Sequence, residues 1–208
     1  MPNILEKEIK SKLNNYIEPF PKLRETAIKR NIPIISPETV IFISKIIRKY
    51  QPGKILEIGT AIGYSSLIMA ENLNKEFKID TIDASKPAVI EARENIRKYN
   101  YSNSINVYFD KGINFLNKTE NKYNFIFIDA KKEEYPEYYR LSKLRLKSKG
   151  IIVLDNLLWQ GKVRRKKSFA DKRVEILRKF DHDFLNDISG KTEIYEIGDG
   201  VGVYIKSF

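Results

Sequence analysis

A doubly wound α/β fold is predicted by three features of this 208-residue sequence. Short apolar runs alternate with amphipathic stretches from Lys54 onward, a glycine-rich turn follows the first of these runs, and later runs end in a carboxylate. Apolar runs separated by helical patterns are the rhythm of a mostly parallel sheet covered by helices on both faces.

Residues 3 to 50 read as helices. Ile4, Leu5, Ile9, Leu13 and Ile17 recur at helical spacing until Pro19 and Pro21 break the pattern. A short helix follows through Leu23 to Lys29. Ser36-Pro37-Glu38-Thr39 is a helix start, with Ser36 as N-cap and Pro37 at the first helical position, and that helix runs to about Tyr50. The predicted strands are Lys54 to Ile58, Lys78 to Ile82, Ile105 to Phe109, Phe125 to Asp129 and Ile151 to Asp155. Helices between them cover Tyr64 to Leu73, Pro87 to Tyr99, Ile113 to Leu116 and Glu134 to Leu146. A basic stretch after Asp155 leads into a helix from about Ala170 to Phe180. Glu193 to Ile197, the turn Gly198-Asp199-Gly200, and Val201 to Lys206 read as an antiparallel hairpin that completes a seven-stranded sheet. There is no internal repeat and no linker. One domain over 1–208 is expected, with 1–50 as a helical extension packed on it.

Composition excludes several chemistries. The chain has no cysteine, which removes disulfides, thiolate ligands and cysteine nucleophiles. Its one histidine, His182, rules out a multi-histidine metal site and is read as a surface or packing residue. Any metal must therefore be held by carboxylates and amides, which favours a hard ion such as Mg2+. Hydrophobic residues make up 42% and charged residues 31%. No apolar run approaches the ~18 residues of a membrane-spanning helix, and Met1 to Lys12 lacks an apolar signal core. A cytoplasmic protein without a membrane partner is the expectation. The formal net charge of +11 attracts polyanions. Lys-rich composition alone produces the same charge, so both readings stand at this point.

The turn Leu56-Glu57-Ile58-Gly59-Thr60-Ala61-Ile62-Gly63-Tyr64-Ser65 joins the first strand to the next helix. Gly59 and Gly63 permit tight turning and close backbone approach to a ligand. The spacing is G-x-x-x-G, not the dinucleotide G-x-G-x-x-G, and the Lys-Ser/Thr of a P-loop is absent. A strand-to-helix turn at the first strand of a doubly wound sheet is where adenosyl ligands bind. Asp83 ends the second strand about 20 residues after Gly63, where an acid can accept bonds from both ribose hydroxyls. The alternative is a plain glycine turn with a helix-capping aspartate.

Asp129 closes the fourth strand and Asp155-Asn156 the fifth. Carboxyl ends of parallel strands face the ligand crevice, so the three can converge near the glycine turn. Two carboxylates and an amide oxygen form a partial shell for Mg2+ that leaves positions for substrate oxygens. Lys132 lies three residues beyond Asp129. Beside a divalent cation its ammonium form is disfavoured and it becomes a candidate base; a solvated lysine on a charged turn is the competing reading.

Leu56 to Ser65, Phe127-Ile128-Asp129-Ala130-Lys131-Lys132 and Val153-Leu154-Asp155-Asn156 together resemble the cation-dependent O-methyltransferases, the family of the catechol and caffeoyl-CoA enzymes. Ile34 to Thr39 and Ile197 to Gly200 fit as well, so the resemblance covers nearly the whole chain. It is best with the small bacterial branch that methylates 5-hydroxyuridine in tRNA. The resemblance implies a Rossmann-like S-adenosylmethionine-dependent transferase of homodimeric form. It places Asp129, Asp155 and Asn156 on the metal ligands, and Lys132 on the catalytic lysine, with Asp129 also catalytic and near the cofactor. Glu57, Gly59, Gly63 and Ser65 fall on the methionine-binding loop and Asp83 on the ribose position, where the family often has Glu. Ile35 falls on the segment closing over the cofactor, and Lys111 and Gly112 near the adenine. Trp159, just past the metal pair, either borders the substrate or packs a lid.

This chemistry demands two adjacent oxygens, one a hydroxyl. A catechol has them, and so does 5-hydroxyuracil. Surface charge separates the two. Lys162, Arg164, Arg165, Lys166 and Lys167 form a basic run beyond the metal pair, and Arg24, Lys29 and Arg30 precede the closing segment. A tRNA anticodon loop needs its phosphates neutralised and offers a base that can be splayed into a pocket. Methylation of the wobble 5-hydroxyuridine of tRNA is accordingly expected, with a small catechol-like or caffeoyl-CoA-like phenol as the alternative substrate.

Overall fold

The computed structural model describes residues 3–165 and 171–207. Three helices come first: α1 (Ile4–Leu13), α2 (Pro21–Lys29) and α3 (Pro37–Tyr50). Ser36 caps α3, its hydroxyl accepting the Thr39 N–H at 3.2 Å, with Pro37 in the first turn. The alternating part then runs β1 (Lys54–Ile58), α4 (Tyr64–Glu71), β2 (Lys78–Asp83), α5 (Lys86–Lys98), β3 (Ile105–Phe109), α6 (Gly112–Lys118) and β4 (Tyr123–Ile128). A 3-10 turn at Lys132–Glu134 leads into α7 (Tyr135–Arg145), β5 (Leu146–Leu154), α8 (Lys172–Leu185), β6 (Gly190–Tyr195) and β7 (Val201–Lys206).

The seven strands form one sheet in the order β3-β2-β1-β4-β5-β7-β6. β1 to β5 are parallel; β7 runs antiparallel to β5 and to β6. The strand order reverses between β1 and β4, the switch point at which a doubly wound sheet opens a crevice.

Consecutive residues of the central strands bury opposite faces. Ile55, Phe125, Phe127 and Val153 pack with α1–α5, while Leu56, Ile126, Ile128 and Leu154 pack with α6–α8. That two-sided burial is why these strands read as unbroken apolar runs. Ile9, Leu23 and Ala27 belong to the first of these clusters, so the N-terminal helices share the sheet's core.

Most boundaries fall within two residues of expectation, and the larger differences lie in three elements. β5 starts at Leu146, because a register shift opposite Tyr123 and Phe125 lets the polar Lys147-Ser148-Lys149 stretch join the strand. α8 continues to Leu185, since Phe184 carries the buried stripe of Val174 and Leu177 past Phe180; its expected first residue, Ala170, lies outside the described residues. β6 starts at Gly190 and ends at Tyr195. Among the described residues no helix is long and apolar enough to cross a membrane.

Candidate active site

Gly59 leaves β1 at φ 104° and donates its N–H to Ile82 O at 2.9 Å. Gly63, at φ 82°, caps α4. Between them the Ala61 N–H donates to Asp83 Oδ2 at 2.9 Å, and Asp83 Oδ1 accepts the Ser85 N–H at 2.8 Å. Turn and acid are thus one hydrogen-bonded unit. Over it opens a cavity of about 680 Å³, within the range of small-molecule sites. Ile35, Gly59, Ser65, Asp83, Lys111 and Gly112 line one part, and Asp129, Lys132, Asn156 and Trp159 another.

Glu57 departs from the expectation of a cofactor contact. It does not line the cavity and is fully buried beneath the turn. It accepts bonds from Thr81 Oγ1 at 2.6 Å and from Ser66 Oγ. Burial pushes its carboxyl up to about 7 against the opposing bonds from Ser65, Ser66 and Thr81. The residue braces the loop, because its carboxylate is taken up by Ser66 of α4 and Thr81 of β2. Gly63 likewise serves as helix cap and is not part of the lining.

The strand-end residues do meet. Ladder bonds place Asp129 and Asp155 side by side: Asp129 N donates to Ile58 O at 2.9 Å and Asp155 N to Ile128 O at 3.0 Å. Asp155 has no exposed surface. Its Oδ1 accepts the Asn156 N–H at 2.8 Å and the Thr39 hydroxyl at 3.4 Å, whereas its buried Oδ2 has no partner among the described residues. Burial, then the nearby Asp129, hold its carboxyl well above the usual range; Lys132 opposes them. Asn156 sits at φ 58°, a left-handed conformation that asparagine tolerates better than most residues.

Lys132 is buried, not solvated. Its Nζ donates to Asp129 Oδ1 at 3.0 Å, Asn156 Oδ1 at 3.2 Å, Asp155 O at 3.4 Å and Tyr135 Oη at 2.5 Å. Tyr135, one helical turn on, donates to Asp155 O at 2.9 Å. Burial, with Asp129 and Asp155 nearby, raises its phenol well above the ordinary value. Sequence reading missed Tyr135 and Thr39. The i, i+3 spacing from Lys132 was a usable signal for Tyr135. Thr39 had none, since its partner lies 116 positions away. Among the described residues no three His, Cys, Asp or Glu side chains gather as a metal cluster; the corner is two carboxylates and an amide.

Trp159 borders the cavity and is itself anchored. Its indole N–H donates to Asp171 Oδ2 at 3.1 Å, and the Arg173 guanidinium lies 4.6 Å from the ring centroid. The turn between β6 and β7 holds this segment: Leu158 N donates to Asp199 O at 2.8 Å, and Gln160 N to Asp199 Oδ1 at 2.6 Å.

The basic residues divide. Lys162 is half-buried, and Arg164 and Arg165 are exposed; Lys166 and Lys167 lie outside the described residues. Lys29 pairs with Glu25 at 2.7 Å, and Arg30 grips Glu91 through two bonds. The expectation of a phosphate contact fails at Arg24. Its side chain is only 17% exposed and is committed to Glu18, Ile35 O and Tyr64 Oη.

Comparison with known proteins agrees with this architecture. Residues 8–207 match the sequence profile of the O-methyltransferase family. The chain is 31% identical over 152 residues to the catechol O-methyltransferase of Niastella koreensis, covering 71% of this chain and 68% of that protein. A Staphylococcus aureus structure described as a candidate caffeoyl-CoA O-methyltransferase superposes with TM-score 0.86 at 26% identity, covering 99% of this chain and all of the other. The O-methyltransferase of Bacillus cereus, solved with S-adenosylhomocysteine, shares the fold with TM-score 0.80 at 24% identity and 97% coverage of both chains. With a profile match across almost its whole length, the chain belongs to the O-methyltransferase family.

Proposed function

We propose that this S-adenosylmethionine-dependent O-methyltransferase methylates a phenolic hydroxyl that has a second oxygen beside it, as in a catechol. The observation that carries this reading is the convergence of Lys132 Nζ, Asp129 Oδ1 and Asn156 Oδ1 within 3.2 Å on the wall of the cavity that opens over Gly59. Similarity to the Niastella koreensis catechol enzyme supports the substrate class. In this reading Gly59 and Ser65 border the methionine end of the cofactor, Asp83 the ribose, Lys111 and Gly112 the adenine, and Ile35 closes over it.

Asp129, Asp155 and Asn156 fit a hard divalent cation such as Mg2+. All three offer oxygen donors, and the buried Oδ2 of Asp155 has no hydrogen-bond partner among the described residues. When bound, such an ion lowers the pKa of a neighbouring hydroxyl and fixes its direction. The chain's own residues do the rest. Trp159 walls the acceptor side, and the cavity holds the hydroxyl oxygen in line with the sulfonium methyl. Lys132 Nζ, steadied by Tyr135 and Asp129, is the basic group placed to take the hydroxyl proton. The new O–C bond forms as the C–S bond breaks, and its electron pair passes to sulfur.

A second reading, 5-hydroxyuridine in tRNA, is favoured by one observation. Arg164 and Arg165 are exposed just beyond Trp159, on a chain of net charge +11. One assay separates the two: purified protein with radiolabelled S-adenosylmethionine and Mg2+, offered a catechol or hypomodified tRNA. Label in the catechol alone supports the first reading. Label in tRNA alone overturns it in favour of the second.

A further inference from the structure

Arg24 and Glu18 lie outside the cavity yet tie two of its walls together. One wall is the segment through Ile35 that precedes α3. The other is the start of α4, where Tyr64 and Ser65 follow the glycine turn. Arg24 Nη1 donates to Ile35 O at 3.2 Å and to Tyr64 Oη at 3.1 Å. Tyr64 Oη in turn donates to Glu18 Oε1 at 2.6 Å. Glu18 closes the circuit through Arg24 Nε at 3.3 Å, and is itself fixed by the Tyr16 hydroxyl at 2.8 Å and the Phe20 N–H at 3.1 Å. The side chains of Arg24 and Glu18 are only 17% and 15% exposed, so this pair is shielded from the solvent that weakens surface ion pairs.

We propose that Arg24 and Glu18 are positioning residues that set the gap between Ile35 and Tyr64, and so the affinity of the chain for S-adenosylmethionine. The inference rests on the reading of the cavity as the cofactor site. Neither residue lines the cavity. They act through a backbone carbonyl and a tyrosine hydroxyl on opposite walls, and a planar guanidinium is suited to bonding both at once. A lysine keeps the charge opposite Glu18 but has one nitrogen where Arg24 uses two, Nε toward Glu18 and Nη1 toward both walls. The catalytic corner around Lys132 is untouched by the network, so the effect falls on cofactor binding and not on the transfer step.

The test is calorimetric titration of S-adenosylhomocysteine into wild type, Arg24→Lys, Arg24→Met and Tyr64→Phe, with steady-state kinetics and thermal unfolding alongside. Arg24→Met is expected to weaken binding about tenfold and to raise KM for S-adenosylmethionine by a similar factor. kcat and the KM of the acceptor stay within about twofold. Arg24→Lys is expected to recover thermal stability without recovering affinity, a split that a purely structural role does not produce. Tyr64→Phe keeps the ring and loses only the hydroxyl; a rise of about threefold is expected, and it serves if Arg24→Met fails to fold. Unchanged affinity in the folded variants, beside a wild type that binds, overturns the positioning role and leaves the cofactor reading intact. A wild type that does not bind S-adenosylhomocysteine overturns both.

Discussion

A methyl group on Gly59 would lie 1.9 Å from the carbonyl oxygen of Asp129. The turn beneath the cofactor cavity and the strand end that carries the candidate catalytic corner are therefore in backbone contact, and no side chain fits between them. Gly59 also holds φ 104°, which disfavours any L-residue. Gly59→Ala must push β1 and β4 apart at their carboxyl ends. The expected outcome is a loss of about 3 kcal/mol or more in denaturant unfolding. Binding of S-adenosylhomocysteine should fall with it. If the variant unfolds at the wild-type midpoint, the close approach of Gly59 and Asp129 is wrong.

A substitution at Asp155 tests the proposed cation site apart from the cofactor turn. Asp155 is buried, it does not line the cavity, and its Oδ2 has no partner among the described residues. In Asp155→Asn one carboxylate of the proposed cation site is gone while the glycine turn is unaltered. Methyl transfer should fall roughly 100-fold or more, and any rise in Tm on adding Mg2+ should disappear. Affinity for S-adenosylhomocysteine should stay within about threefold, since the glycine turn and Asp83 remain. Turnover equal to wild type would remove Asp155 from the chemistry.

Much of this architecture is legible in the sequence. Strands such as β4 are buried on both faces, so they read as continuous apolar runs. A strand-end aspartate needs only the parallel topology to arrive at the crevice, which is why Asp129, Asp155 and Asn156 could be named together. What stayed hidden depends on contacts between segments distant in sequence. Arg24 reads as one more surface cation until Tyr64, 40 positions on, takes its guanidinium. Glu57 reads as a loop residue facing the ligand until the hydroxyls of Thr81 and Ser66 close over it. Local pattern carries the direction of a strand. It does not carry which neighbour claims a polar side chain at its end.

Asp181 makes stability depend on pH. It lies on the buried stripe of α8, and its Oδ1 has no partner among the described residues. Burial raises its carboxyl from 3.8 to about 7, with Arg164 opposing. Between those values the folded chain holds a proton that the unfolded chain has lost. The stabilising contribution is therefore complete below 3.8, falls as pH rises toward 7, and is constant above that. The slope is at most ~1.4 kcal/mol per pH unit. Asp181→Asn has no such titration. The Tm of wild type relative to Asp181→Asn should fall from pH 4 to pH 7 and then level off. A difference that does not vary with pH would show that Asp181 titrates normally.

Arg164 and Arg165 decide between the two acceptors without involving the catalytic corner. Both are exposed, and neither lines the cavity. Reversing both to Glu leaves a small phenol's path unchanged, so kcat/KM for a catechol should stay within about twofold. If tRNA is bound through this run, its affinity should fall, and the slope of log K against log salt should become shallower by about two. Fluorescence anisotropy with labelled tRNA from 50 to 200 mM salt measures that slope. A slope that is identical in wild type and variant makes the run a solvated face, and leaves the phenol as the acceptor that the site serves.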